Sequence, residues 1–235
     1  MTAPAPSARS RDNPLLHNHR AVFRIAIVLW AAAGSLFVLV ALPGTKDIVQ
    51  AVDDAAFDLA VAAEWDPAVF LAKVLDVLGG TLVTAPLRVA VAVWLGVRRR
   101  FEALSVWLLA IVFSEPAIWI LKAAYGRARP PDPLVETTSY AFPSGHAIAG
   151  AVVVLSLVIV LVPPGPSRRN LEVLAAAAVF VMGLSRVYLR AHWLSDAAAG
   201  VAFGAAVTLL VAAVVHEVAD RLHDRQALSD GRAPP

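Results

Sequence analysis

Cysteine is absent from the 235 residues. Disulfides, a thiolate nucleophile and a cysteine-ligated metal are therefore excluded, and folding is indifferent to the redox state of the compartment. Charge is scarce too: Asp, Glu, Lys and Arg make up 16% of the chain and sum to a net charge of +2. So small an excess gives no basic surface for nucleic acid, and the pI near 9.3 reflects a few arginines. Apolar side chains fill the space that charge leaves. Hydrophobic residues are 59% of the chain and mean hydropathy is +0.69, well above that of a soluble domain. This is the composition of an integral membrane protein. The length suits one all-α bundle of about six spans at roughly 20 apolar residues each, with little left for a separate soluble domain.

Residues 1–20 are polar and rich in Pro and Arg, and are expected to form a disordered cytoplasmic leader. The first span, 21–42, is longer than the roughly 7–15 apolar residues of a signal-peptide core, so it is expected to stay in the protein. Residues 43–67 carry Asp47, Asp53, Asp54, Asp58, Glu64 and Asp66, too many acids to cross a bilayer. Ile48, Val49, Val52, Phe57 and Leu59 in that stretch suit an interfacial helix resting on lipid, with an ordinary connecting loop as the alternative. Further spans are expected at 69–97, 101–122, 144–162, 171–189 and 196–215, completing a six-span domain over 21–215. A cytoplasmic tail, 216–235, holds His216, Glu217, Asp220, Arg221, His223 and Asp224, read as a solvated helix end. Arginine-rich connections at the leader, at 98–100 and at 168–169 belong in the cytoplasm with both termini, which puts the acidic segment outside.

Parity then does something useful with the polar residues. Lys122 ends the third span, Ser144, Gly145 and His146 begin the fourth, Ser185 and Arg186 close the fifth, and His192 and Asp196 open the sixth. An even number of spans brings all of them, with Arg129 from the loop between spans three and four, to the outer ends of helices three to six. Charges within spans are costly unless they pair or work.

Three cations, two histidines, a hydroxyl and a carboxylate suit a phosphoryl group, whose transition state spreads negative charge over its equatorial oxygens. Lys122, Arg129 and Arg186 would stabilise that charge, arginine as a planar fork and lysine as a point charge. Ser144 adds a hydroxyl, and the free amides of Gly145 and His146 at the start of an apolar helix would point at an anion. His192 precedes Asp196 by four residues, one face of a helical turn, so the carboxylate can hold one ring nitrogen while the other attacks phosphorus. His146 can then protonate the departing oxygen, and water would cleave the phosphohistidine. A metal site built from His146, His192 and Asp196 is the competing reading. Three cations converging on one spot would repel a divalent ion, so neither metal nor other cofactor is expected.

In this order and spacing, Lys122, Arg129 and Pro130, then Pro143 to His146, then Ser185, Arg186, His192 and Asp196 resemble the signature of the type 2 phosphatidic acid phosphatase superfamily. The superfamily includes membrane lipid phosphatases, glucose phosphatases and soluble vanadium haloperoxidases. The resemblance implies His192 as nucleophile, Asp196 as its partner and His146 as general acid. It implies Lys122, Arg129, Ser144, Gly145 and Arg186 as the phosphate cradle, and activity without metal. It also implies sensitivity to vanadate as a transition-state mimic. An outward-facing site at the water interface is expected to take phosphatidic acid, phosphatidylglycerophosphate or a polyprenyl diphosphate, with the tail between spans. A rival is a membrane protein that binds or moves phosphorylated lipid without hydrolysing it. A pure binder needs the cations but not His146, His192 and Asp196, and a purely structural bundle would not keep every chemical role.

Arg88 and Glu115 fall within about one helical turn of each other in depth and are expected to pair, snorkelling of Arg88 being the alternative. Asp76 could line the cavity or cap local backbone, and Gly79 with Gly80 suggests close helix packing. Pro116 is a candidate kink. Tyr125, Arg127, Tyr140, Arg190 and Trp193 are expected to anchor the protein at the interface rather than recognise substrate.

Overall fold

The computed structural model describes residues 19–229, which form eight helices and, among the described residues, no strand. They are α1 (His19–Ala41), α2 (Pro43–Ala62), α3 (Asp66–Gly79), α4 (Thr81–Val97), α5 (Phe101–Tyr125), α6 (Gly145–Leu161), α7 (Pro166–Tyr188) and α8 (Leu194–Ser229). The expected leader lies outside the described residues except for His19 and Arg20, which start α1.

Four helices, α1, α5, α7 and α8, are long and apolar enough to cross a membrane. A fifth crossing results if α3 and α4, bent by 44° at their junction, count together. The single straight span expected over 69–97 is therefore two helices. Gly80 sits between them with extended backbone (φ −73°, ψ 162°), which ends one helical ladder and starts the next. α6 is apolar apart from His146 and Ser156 but has only 17 residues, about 25 Å at 1.5 Å per residue. Large apolar side chains face outward, among them Leu82, Phe70, Trp119 and Val97 at 91, 70, 69 and 76% exposure. In water such a surface would be unstable, whereas lipid solvates it. The chain is a multi-pass membrane protein.

The 43–62 stretch is a helix and not the alternative loop. α2 exposes Ile48, Val52 and Leu59 and buries Asp53 and Ala60. α8 continues past the expected end of the sixth span to Ser229. His216 in that stretch is buried, with Nδ1 3.2 Å from Glu102 of α5.

α6 is the central post, packed between α5, α7 and α8. Its approach to α8 depends on two glycines one turn apart. A Cβ at Gly200 would come 2.7 Å from the Ser144 carbonyl oxygen, and one at Gly204 would come 2.7 Å from that of Ile148. Any larger residue would push the helices apart, the small-residue rule of membrane helix pairs. One core cluster, with Leu95, Val106, Trp107 and Val160, lies towards the arginine turns. Another, with Ala33, Ile148, Val152 and Phe203, lies nearer the polar end. The tight α6–α8 seam carries consequences for the site, because it lets the Ser144 amide donate to the Asp196 carbonyl at 3.0 Å.

Candidate active site

Helix ends place the polar residues. α5 stops at Gly126, whose left-handed conformation (φ 55°) closes the helix with its amide on the Lys122 carbonyl. The chain then loops over the bundle to Ser144, the N-cap of α6. Ser144 Oγ accepts from the Ala147 amide at 3.4 Å and the residue is fully buried. α7 ends at Tyr188, and the turn before α8 carries His192. Asp196, in the first turn of α8, reaches back so that Oδ2 accepts from the Trp193 amide at 2.9 Å, the return arm of a capping box.

Lys122, Arg129, Gly145, His146, Arg186 and His192 line one cavity of about 220 Å³. Ser144 and Asp196 do not line it; both are fully buried behind it. The Ser144 hydroxyl accepts in its helix cap, which leaves its own proton free to donate. Ser185 is likewise turned to its own helix, donating to the Met182 carbonyl at 2.7 Å.

The arginine beside His192 fixes its tautomer. Arg129 Nη1 lies 3.3 Å from His192 Nε2. Guanidinium can only donate, so Nε2 accepts and the ring proton sits on Nδ1. Nδ1 faces Asp196 Oδ2 at 3.5 Å, too long for a hydrogen bond here. Arg129 is itself held by backbone, donating to the Ala191 and Ser139 carbonyls at 2.6 Å each. Lys122 Nζ donates to the Tyr140 carbonyl. Burial, and then the cations Arg129, Lys122 and Arg186, hold the His192 imidazole well below its ordinary range, while burial lowers Arg129 from its own.

Asp76 does not line the cavity but stands beside two residues that do. It pairs with Arg186 Nη1, and its Oδ1 is 3.3 Å from His146 Nε2. Gly79, one turn on, lets this happen: a Cβ there would sit 2.9 Å from Met182 and 3.2 Å from the His146 ring. Arg88 and Glu115 do pair, at 2.5 Å, and both line the inner end of the same cavity. Its opposite wall includes Glu136, Thr137, Thr138 and Ser139 from the loop.

Arg127 departs from the interfacial anchor expected of it. Its Nη1 donates to Asp196 Oδ1 and Ser195 Oγ, its Nη2 to Asp53 Oδ2 and Gln50 Oε1, all at 2.7–2.8 Å. Asp53 was hidden among six acids of one segment. The signal that could have found it is helical periodicity, which puts Gln50, Asp53 and Phe57 on the face opposite Ile48, Val52 and Leu59. Arg190 pairs with Glu64 at 3.1 Å, and Trp193 Nε1 donates to the Ala128 carbonyl at 2.9 Å. Tyr125 Oη donates to the Phe37 carbonyl at 2.8 Å, tying α5 to α1.

The fold and site together define a helical membrane protein with three cations and two histidines around one cavity. More particularly, residues 102–220 match the family model of the PAP2 superfamily, and the chain belongs to that superfamily. It is 32% identical over 111 residues to phosphatidylglycerophosphatase B of Bacillus subtilis (strain 168), an alignment covering 44% of this chain and 55% of that protein. The chain thus spans about half the length of that curated relative. Its fold resembles the crystal structure of the transmembrane PAP2-type phosphatidylglycerolphosphate phosphatase from Bacillus subtilis. The TM-score is 0.68 at 26% identity, covering 79% of this chain and 93% of that one. Aquifex aeolicus LpxE shares the fold with a TM-score of 0.50 at 20% identity, over 68% of this chain and 92% of that one.

Proposed function

We propose that the protein is a metal-independent phosphatase of membrane lipids that cleaves phosphate monoesters or diphosphates through a phosphohistidine. The observation that carries this reading is the orientation of His192. Its Nε2 lone pair faces a cavity lined by Lys122, Arg129 and Arg186, while its Nδ1 proton faces buried Asp196. In the reaction Nε2 attacks phosphorus and the bond to the leaving oxygen breaks, that oxygen taking a proton from His146. Water then attacks the phosphohistidine, giving its proton to His146 as the N–P bond breaks and inorganic phosphate leaves. Lys122, Arg129 and Arg186 stabilise the equatorial charge throughout. Asp76 keeps both Arg186 and His146 aimed at the same oxygens.

Six crossings follow if α3 with α4 forms one and α6 forms another, with α2 lying at the interface. The site then opens on the outer face, both termini being cytoplasmic, and a lipid reaches it from the leaflet with its phosphate in the cavity. The names of the Bacillus relatives favour phosphatidylglycerophosphate among the lipids with suitable chemistry. The test is phosphate release by purified protein in mixed micelles with excess chelator. Phosphatidic acid, phosphatidylglycerophosphate and a polyprenyl diphosphate are compared, with His192→Ala as control. Turnover that survives chelation and is abolished in that variant is expected. Lipid binding with no release from any of the three would instead favour the non-hydrolytic binder.

A further inference from the structure

Asp53 is 1% exposed, yet it belongs to α2, a helix whose other face lies open at Ile48, Val52 and Leu59. Its carboxylate reaches into the first turn of α8. Oδ1 accepts from the Ser195 amide at 2.8 Å, and Oδ2 accepts from the Ser195 hydroxyl at 2.6 Å. That turn needs an acceptor from elsewhere, because the residue preceding α8 is Trp193, which has none in its side chain. Asp53 Oδ2 also accepts from Arg127 Nη2 at 2.7 Å, and the other arm of the same guanidinium donates to Asp196 Oδ1 at 2.7 Å. One arginine thus bridges two buried carboxylates on different helices. Two further contacts of α2 lie on the same face: Gln50 accepts from Arg127, and Phe57 packs on Trp193 with ring centroids 6.1 Å apart.

We propose that Asp53 is a positioning residue for the reaction, acting through Arg127 and the first turn of α8 to hold Asp196 where it orients the His192 ring. The inference rests on the hydrolytic reading above. Asp196 has two oxygens, of which Oδ2 serves the Trp193 amide and faces His192, while Oδ1 is held by Arg127. Without Asp53 the guanidinium loses its second carboxylate and the Ser195 amide its acceptor. Asp196 is then free to turn towards Arg127 and away from the ring. The latch also puts a helix whose outer face is apolar two side chains away from the attacking histidine.

The experiment measures kcat and KM for phosphate release from the three lipids above in wild type, Asp53→Asn, Asp196→Asn and the double variant, with size-exclusion profiles and thermal unfolding in detergent as controls of the fold. Asp53→Asn is expected to lower kcat about 10–100-fold, the usual cost of removing an outer orienting partner. KM should stay within about threefold of wild type, since Lys122 and Arg186 are untouched. In the Asp196→Asn background the same change should cost almost nothing, because the group it orients is already gone. A folded Asp53→Asn protein with wild-type kcat overturns the inference, as does a loss that multiplies in full on the Asp196→Asn background, the mark of a merely structural role. Asp53→Glu keeps the charge and shifts the carboxylate by one methylene; if the asparagine variant does not fold, the glutamate variant decides on the same criteria. A wild type that releases phosphate from none of the lipids overturns the hydrolytic reading and this inference with it. An active wild type with an indifferent Asp53 overturns the inference alone.

Discussion

At the scale of single residues, environment assigns roles that residue type leaves open. His146 and His192 are chemically identical, but one sits beside Asp76 and the other between Arg129 and Asp196. Burial first, and then the surrounding cations, lower the affinity of His192 for a proton, so the ring is neutral at pH 7, as the proposed nucleophile requires. Protonation removes the lone pair, so activity falls as pH drops, and the depressed proton affinity moves that loss to lower pH than for an ordinary histidine. A profile of kcat/KM against pH should therefore show an acid limb clearly below pH 6.5, about the ordinary histidine value. A limb at or above that value would contradict a nucleophile in this environment. Asp76 was one intramembrane carboxylate with two plausible uses, and its pairing with Arg186 is a third that only the tertiary structure shows. Asp76→Asn is expected to lower kcat about 10–100-fold, the range for losing an orienting partner. Steady-state turnover of the folded variant checks this.

Elements explain how such residues are delivered. The α6–α8 seam is close enough for the backbone at Ser144 and Asp196 to hydrogen-bond, because Gly200 and Gly204 carry no side chain. Gly200→Ala would bring a methyl within 2.7 Å of the Ser144 carbonyl oxygen and 2.9 Å of Ala147 Cβ. Neither neighbour can yield without moving helix backbone, so the variant is expected to lose about 1–3 kcal/mol. It should also lose most of its activity, read from thermal unfolding in detergent beside turnover. Spans written as long apolar runs were legible in the sequence for α1, α5, α7 and α8. The bend between α3 and α4 was not, since Gly79 and Gly80 fit close packing inside a straight helix as well as a break.

For the molecule as a whole, the bilayer sets the constraints. Arg88 and Glu115 come from α4 and α5 and meet at the inner end of the cavity. A double-mutant cycle with Arg88→Leu and Glu115→Leu is expected to return a coupling of about 0.5–1.5 kcal/mol, the range of interhelical polar contacts in membranes. Zero coupling would mean that each side chain finds other partners. Because the native chain has no cysteine, its orientation can be read with single introduced thiols. Lys46→Cys in α2 and Ser167→Cys in α7, both exposed, should respond oppositely to a membrane-impermeant maleimide. Intact cells should be labelled at position 46, whereas position 167 should react only after permeabilisation. The reverse pattern would place the site on the cytoplasmic face.

Composition and hydropathy by themselves determined that this chain lives in a membrane as helices, because no other local structure satisfies its backbone in lipid. The order and spacing of Lys122, Arg129, His146, Arg186, His192 and Asp196 were enough to raise the expectation of a phosphate site, since they fall at or just beyond the ends of expected spans that an even count would carry to one side. Tertiary structure alone decided what stands behind them. Asp53 lies 143 positions before Asp196, and Asp76 lies 110 before Arg186, so no local spacing joins either pair. Which of many acids becomes buried against an arginine depends on how α2 and α3 pack against α7 and α8. That packing is set by side-chain volumes and two close-set glycines, which hydropathy does not record.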